Sequence, residues 1–146
     1  MRDYTKIKAW QKADDLTVGI YKATKAFPRD EVYALTSQIR RASYSVPSNI
    51  AEGAARHTQK DYLHFLYIAR GSLTETRYFV HLSGRLGYLT QEQAGELQEQ
   101  ADECLRILAG LIRCVEKEAG EISRTIARIS SALVLTLGLT YWKSNV

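Results

Sequence analysis

Residues 38–53, Gln-Ile-Arg-Arg-Ala-Ser-Tyr-Ser-Val-Pro-Ser-Asn-Ile-Ala-Glu-Gly, restrict the fold more than any other stretch of this chain. Two stripes run side by side through and just ahead of them. The apolar one is Leu35, Ile39, Ala42, Val46, Ile50 and Gly53; the polar one is Gln38, Arg41, Ser45, Asn49 and Glu52. Spacings of three and four put each stripe on one line of a helix, so a core face is flanked by groups that need partners. Pro47 interrupts both. Proline removes a backbone donor and crowds the carbonyl four residues back, here that of Ser43, which allows a kink or a break. A break resets the phase of a helix, and the apolar stripe keeps its phase across Pro47. The expectation is one kinked helix.

The rest of the chain supplies partners of the same kind. Ile7, Trp10, Ala13, Leu16 and Ile20 mark the buried face of a first helix from Lys6 to Ala26, stopped by Phe27-Pro28. Asp30 is the expected cap of the second helix, with Glu31 in its first turn. Thr58 caps a third helix whose core face reads Tyr62, Phe65/Leu66, Ala69, Ser72/Leu73, Thr76, Phe79/Val80, Ser83 and Leu86. Gly71 lies inside it. A mid-helix glycine costs about 1 kcal/mol against alanine, so a closely packed neighbour is expected there. Gly87-Tyr88-Leu89 is the turn. Thr90 and Gln93 form a capping box for a fourth helix. Its seam is Ala94, Leu97, Ala101, Cys104, Leu108, Leu111 and Val115. The fold class is all-α: an antiparallel up-down four-helix bundle with a kinked second helix and an extra apolar C-terminal segment.

That division places the bundle at 1–118 and a helical extension at 119–146. The extension reads two ways. Ile122, Ile126, Ile129, Leu133 and Leu137 have helical spacing, while Leu133, Leu135, Leu137, Leu139 and Tyr141 alternate as a strand does. A helix packed on the bundle or on a second subunit is the first expectation. A frayed tail, a strand or a membrane-surface segment are the others. The apolar run Ala132–Trp142 is too short to span a bilayer core about 30 Å thick.

Charge is unevenly placed. Residues 1–57 carry ten Lys or Arg against six Asp or Glu, residues 58–118 seven against nine, and residues 119–146 three against one. The first part is therefore the basic part, which suits a phosphate backbone or an acidic surface without proving one. Cys104 and Cys114 are ten residues apart, on different faces of one helix. They read as free, mostly buried thiols in a reducing cytoplasm. The start, Met-Arg-Asp-Tyr-Thr-Lys, lacks the apolar core of a signal peptide.

Several motifs in order resemble one bacterial family, the four-helix-bundle proteins encoded by 23S rRNA intervening sequences. The run Gln38–Gly53 is similar to its signature, Trp10-Gln11-Lys12-Ala13 to its first-helix motif, and Phe27-Pro28 with Glu31, Tyr33 and Leu35 to its helix-two entry. Ala69-Arg70-Gly71-Ser72-Leu73 with Glu75 resembles its third-helix motif, and Leu86-Gly87-Tyr88-Leu89 its last turn. The resemblance covers about residues 4–118. It implies four antiparallel helices and a ring-like homo-oligomer, typically a pentamer, and no assigned activity. The family also resembles the accessory protein of diversity-generating retroelements, a basic pentameric barrel that engages reverse transcriptase and nucleic acid. Family chains usually end soon after the fourth helix, so the apolar tail is a departure.

Candidate chemistry is sparse. Gln38, Arg41, Ser45, Asn49 and Glu52, with Ser72 and Glu75 of the third helix, form either a polar assembly network or a ligand pocket. Arg41 is expected to pair with Glu75 or Glu52. Lys6, Lys8, Lys12, Lys22, Lys25, Arg40 and Arg41 are the candidates for phosphate contact, and Tyr4, Tyr21, Tyr33 and Tyr44 for stacking on single-stranded bases, although bundle tyrosines more often serve core or interface. His57, His64 and His81 show no metal-ligand spacing, and no Cys-x-x-Cys occurs. Ser43, Ser45 and Ser48 flank a proline rather than forming a nucleophile elbow. No catalytic residue, cofactor or metal is expected. The functional expectation is a non-catalytic oligomeric scaffold or adaptor, with RNA, DNA or a protein as partner. The alternative is a purely protein-binding or self-assembling module.

Overall fold

The computed structural model describes the backbone of residues 2–144 and the side chains of residues 2–126. It contains α1 (Lys8–Ala23), α2 (Leu35–Ala54), α3 (Gln59–Arg85) and α4 (Gln91–Ser144). Consecutive helices pack on each other, and α1 closes the bundle against α4. The core is one continuous cluster, centred on Leu16, Ile20, Ile39, Ile50, Leu66 and Leu108.

α2 is a single helix across Pro47, as its in-phase stripe predicts. The Ser43 carbonyl, which cannot receive an N–H from Pro47, has a partner from another helix. The Thr17 hydroxyl lies 2.9 Å from Ser43 O and 2.8 Å from Ala13 O of its own helix. The proline thus moves one hydrogen bond from within α2 to the α1–α2 contact.

Helix ends differ from expectation at both ends of α1. The helix starts at Lys8, because Asp3 accepts from the Thr5 backbone and hydroxyl at 3.1 and 2.6 Å and holds a separate 3-10 turn over Tyr4–Lys6. It ends at Ala23, where the Thr24 hydroxyl donates to Ile20 O at 2.8 Å and the chain tightens into a 3-10 turn, Thr24–Ala26. Asp30 does not cap α2. It lies with Glu31 in a 3-10 turn, Arg29–Glu31, and α2 begins only at Leu35. Glu31 takes over the capping task from outside: one oxygen accepts from Leu35 N at 3.0 Å, the other from the Tyr88 hydroxyl at 3.0 Å.

The expected caps of α3 and α4 are present. Thr58 accepts from Asp61 N at 3.0 Å. Thr90 Oγ1 accepts from Gln93 N at 3.1 Å while Gln93 accepts from Thr90 N at 3.0 Å. Gly87 takes a positive φ of 75° in the turn between them, a conformation that glycine adopts without steric cost.

Three core assignments change. Gly71 is exposed, and a Cβ there would meet nothing within 4 Å among the described residues. The close approach is at Gly53, where a Cβ would stand 2.9 Å from Phe65 Cβ and 3.0 Å from Tyr62 Cδ2. Leu86 is exposed, and Ile112 rather than Leu111 is fully buried in α4. The α4 stripe is wide enough for either neighbour, and only the position of α3 selects one.

α4 runs without interruption through the boundary expected at 118/119. Ile122 and Ile126 are exposed. The side chains of the tail residues Ile129, Leu133, Leu135, Leu137, Leu139 and Tyr141, with the rest of Ala132–Trp142, lie outside the described residues.

Candidate functional site

The basic candidates occupy separate settings rather than one patch. Lys12 is half-buried, and its ammonium sits 3.0 Å from Glu103, tying α1 to α4. Of the expected phosphate set, Lys12 is therefore already paired across helices. Lys6 lies 3.5 Å from Asp3 at the chain start. Lys8, Lys22 and Lys25 are exposed on and after α1. Lys22 borders a groove that also holds Asp15 and Glu103, so its surroundings are mixed in sign.

Arg40 and Arg41 are neighbours in sequence and point to different sides of α2. Arg40 turns toward α1: its Nε donates to Thr24 Oγ1 at 2.8 Å, and its guanidinium lies 4.9 Å from the Tyr21 ring centre. Tyr21 and Arg40 thus join an exposed ring and a fixed guanidinium, the ingredients of a stacking and phosphate site, and Lys25 is exposed in the 3-10 turn that follows α1. Tyr44 follows Arg40 by one turn of α2 and is also exposed. Tyr4 is exposed but leans edge-on against Trp10 at 5.1 Å, and Tyr33 is exposed. None of these four tyrosines belongs to the core of the chain.

Arg41 turns toward α3. With Gln38, Ala42, Ser45, Ser72 and Glu75 it lines a polar recess of about 350 Å³. At its floor the Ser45 and Ser72 hydroxyls lie 2.9 Å apart, and Asn49 donates to Ser45 O and Oγ at 2.7 and 3.0 Å. Five members of the expected network (Gln38, Arg41, Ser45, Ser72 and Glu75) thus share one recess, and Asn49 joins through Ser45. Glu52 does not. It pairs with Arg56 one turn away, just past the end of α2. Arg41 forms no ion pair with Glu75 or Glu52 among the described residues, which corrects that expectation. Its guanidinium is exposed at the recess mouth.

Other contacts have no sequence signal. Arg77 pairs with Asp102 at 2.6 Å between α3 and α4. Arg2 donates to Gln59 at 2.8 Å and covers the Tyr62 ring at 4.5 Å, pinning the chain start over the α2–α3 turn. Such pairs depend on how helices face each other, which no local spacing encodes.

Titration marks no reaction centre. Burial pushes the Cys104 thiol up to about 12, with nearby Glu103 adding to the rise, so Cys104 is a poor nucleophile. Cys114 is exposed, contrary to the expectation that both thiols are buried for the most part. Tyr67 and Tyr88 are raised because each donates to a carboxylate, Glu116 and Glu31 respectively. His57, His64 and His81 are exposed, and among the described residues no three His, Cys, Asp or Glu side chains gather as a metal site requires.

The family model described as 23S rRNA-intervening sequence protein matches residues 5–110, which spans α1 to α3 and α4 as far as residue 110. The chain belongs to this family. A crystal structure of a protein with unknown function from the S23 ribosomal protein family of Bacteroides thetaiotaomicron is similar to it. The two are 26% identical with a TM-score of 0.64, over 71% of this chain and 97% of that one. No curated protein matches the chain. The family assignment covers the Arg40 corner and the polar recess alike. It stops well short of Ile122, where α4 leaves the bundle.

Proposed function

We propose that the chain is a non-catalytic scaffold that assembles with copies of itself, as a pentamer by family resemblance, and contacts RNA or DNA in the cytoplasm. The carrying observation is the corner made by Tyr21 and Arg40, with exposed Lys25 in the turn after α1. A guanidinium stacked on an exposed ring and fixed by Thr24 is already ordered, so it loses little freedom on meeting a phosphate. Repetition of this corner around a ring multiplies a weak contact. The polar recess supports the assembly half of the reading: Arg41 stands at its mouth with no ion-pair partner among the described residues, ready for a carboxylate of a second copy.

The test is retention of the full chain on single-stranded RNA across a salt series. Binding should fall linearly on logarithmic axes, with a slope of roughly 0.7 per phosphate neutralised. Lys22→Glu with Lys25→Glu, both at exposed positions, should abolish it. No retention even at low salt would leave the second reading, a purely protein-binding or self-assembling module. The acidic side of α4 favours that reading: Glu96, Glu99 and Glu103 border one groove beside the Lys22 edge and weaken the positive field there.

A further inference from the structure

The core seam of α4 does not stop where the bundle stops. Leu108, Ile112, Val115, Ala119, Ile122 and Ile126 follow spacings of four, three, four, three and four. Leu108, Ile112 and Val115 are buried, Ala119 is half-buried, and Ile122 and Ile126 are 50% and 59% exposed. The change occurs where α3 begins: Gln59 donates to Glu118 at 2.9 Å, and α4 passes beyond it. From Glu118 to the end of α4 at Ser144 the helix rises by about 39 Å. Gln59, Glu118, Glu121, Ile122, Thr125 and Ile126 border an open recess of about 390 Å³ at this junction.

Over residues 121–126 the exposed seam is narrow. Glu121, Ser123, Arg124 and Thr125 around it are all exposed and polar. A surface-lying membrane helix needs a broad apolar face, whereas a two-position stripe is the seam of a coiled coil. Its flanking positions, Ser123 and Thr125, are small and uncharged, so identical helices meet there without charge repulsion. The sequence carries the same spacing onward through Ile129 and Leu133. Isoleucine at both alternating seam positions disfavours a two-stranded coil and favours more strands.

We propose that residues 119–133 of α4, the span over which the seam keeps its spacing before Thr136 and Thr140 fall on it, wind with the same segment of other copies of this chain, forming a parallel coil of three or more helices along the assembly axis. Cyclic symmetry brings equal positions together, so Ile122 and Ile126 of each copy share one layer with their counterparts. This rests on the assembly reading above and adds a second contact that the family-matched residues do not contain.

The experiment is sedimentation of the full chain over a concentration series, beside Ile122→Glu/Ile126→Glu and Arg124→Glu. The isoleucines are exposed in the single chain, so the double variant folds, and helical circular dichroism confirms it. The double variant should raise the concentration at which the assembly dissociates at least ten-fold, while Arg124→Glu leaves it unchanged. An oligomer that dissociates identically in all three chains overturns the coil and leaves the assembly reading standing. A full chain that is monomeric throughout overturns both. Equal weakening by Arg124→Glu also overturns the coil, since it would place the contact on the polar face.

Discussion

Gly53 and Gly71 are both glycines inside helices, and the structure assigns them opposite roles. A Cβ at Gly53 collides with Phe65 and Tyr62 on α3, so Gly53→Ala should destabilise the fold by about 1–3 kcal/mol. Gly71 faces open space, so Gly71→Ala should stabilise the isolated chain by about 0.5–1 kcal/mol through helix propensity. Denaturant titration of the two variants under dissociating conditions checks both signs. The cysteines divide in the same way. Cys104 keeps its proton in the fold until about pH 12, whereas its ordinary value is 9.0. Its contribution is therefore fully present below pH 9 and is lost as pH rises from there toward 12, because the unfolded chain ionises first. Cys104→Ala should remove that part of the alkaline loss, and a thiol reagent should label Cys114 alone in the native chain. Sequence spacing placed Cys104 in the α4 seam. It also put Cys114 on a different face, and the structure shows that this face is exposed.

At the scale of elements, Pro47 and Thr17 belong together. The proline deprives Ser43 O of its helical donor, and the hydroxyl of Thr17 on α1 restores one. Thr17→Val should cost about 1–2 kcal/mol, the usual penalty for an unsatisfied buried acceptor. In a Pro47→Ala chain the same change should cost much less, since the substituted alanine offers its own N–H. A double-mutant cycle by thermal or chemical unfolding measures the difference as a coupling. The continuity of α2 was legible beforehand, because an apolar stripe in phase on both sides of a proline leaves no room for a reset. The identity of the rescuing hydroxyl was not, because Thr17 and Ser43 are far apart in sequence. The start of α2 shows the same limit: acidic residues at 30 and 31 correctly signalled a helix entry, but the cap is Glu31, held in place by Tyr88 from the far turn.

For the whole molecule, the recess and the Arg40 corner lie on different sides of α2, so the assembly and nucleic-acid contact of the proposed function can be tested apart. Arg41→Glu should lower the sedimenting mass of the oligomer and leave the helical signal of the chain intact. Unchanged mass and melting would remove the recess from the interface. The Lys22/Lys25 charge reversal should do the reverse, keeping mass while losing RNA retention. Lys12 illustrates how the bundle gives one member of the basic set a partner of its own. By sequence it is one lysine among several on α1; in the bundle it is half-buried against Glu103 and serves the α1–α4 contact.

Periodicity alone determined that this chain forms helices, which faces they bury, and that four of them close on one core. It also set the two caps whose partners are three residues away. Those properties follow from backbone geometry, which repeats locally and can be read locally. Tertiary structure decided everything that depends on which side chain meets which: the pairing of Lys12 with Glu103 and of Glu52 with Arg56, and the partner of Ser43. It also decided where the α4 seam leaves the core. The spacing from Leu108 to Ile126 is the same throughout, and only the position of α3, which begins at Gln59, separates a buried stripe from an exposed one.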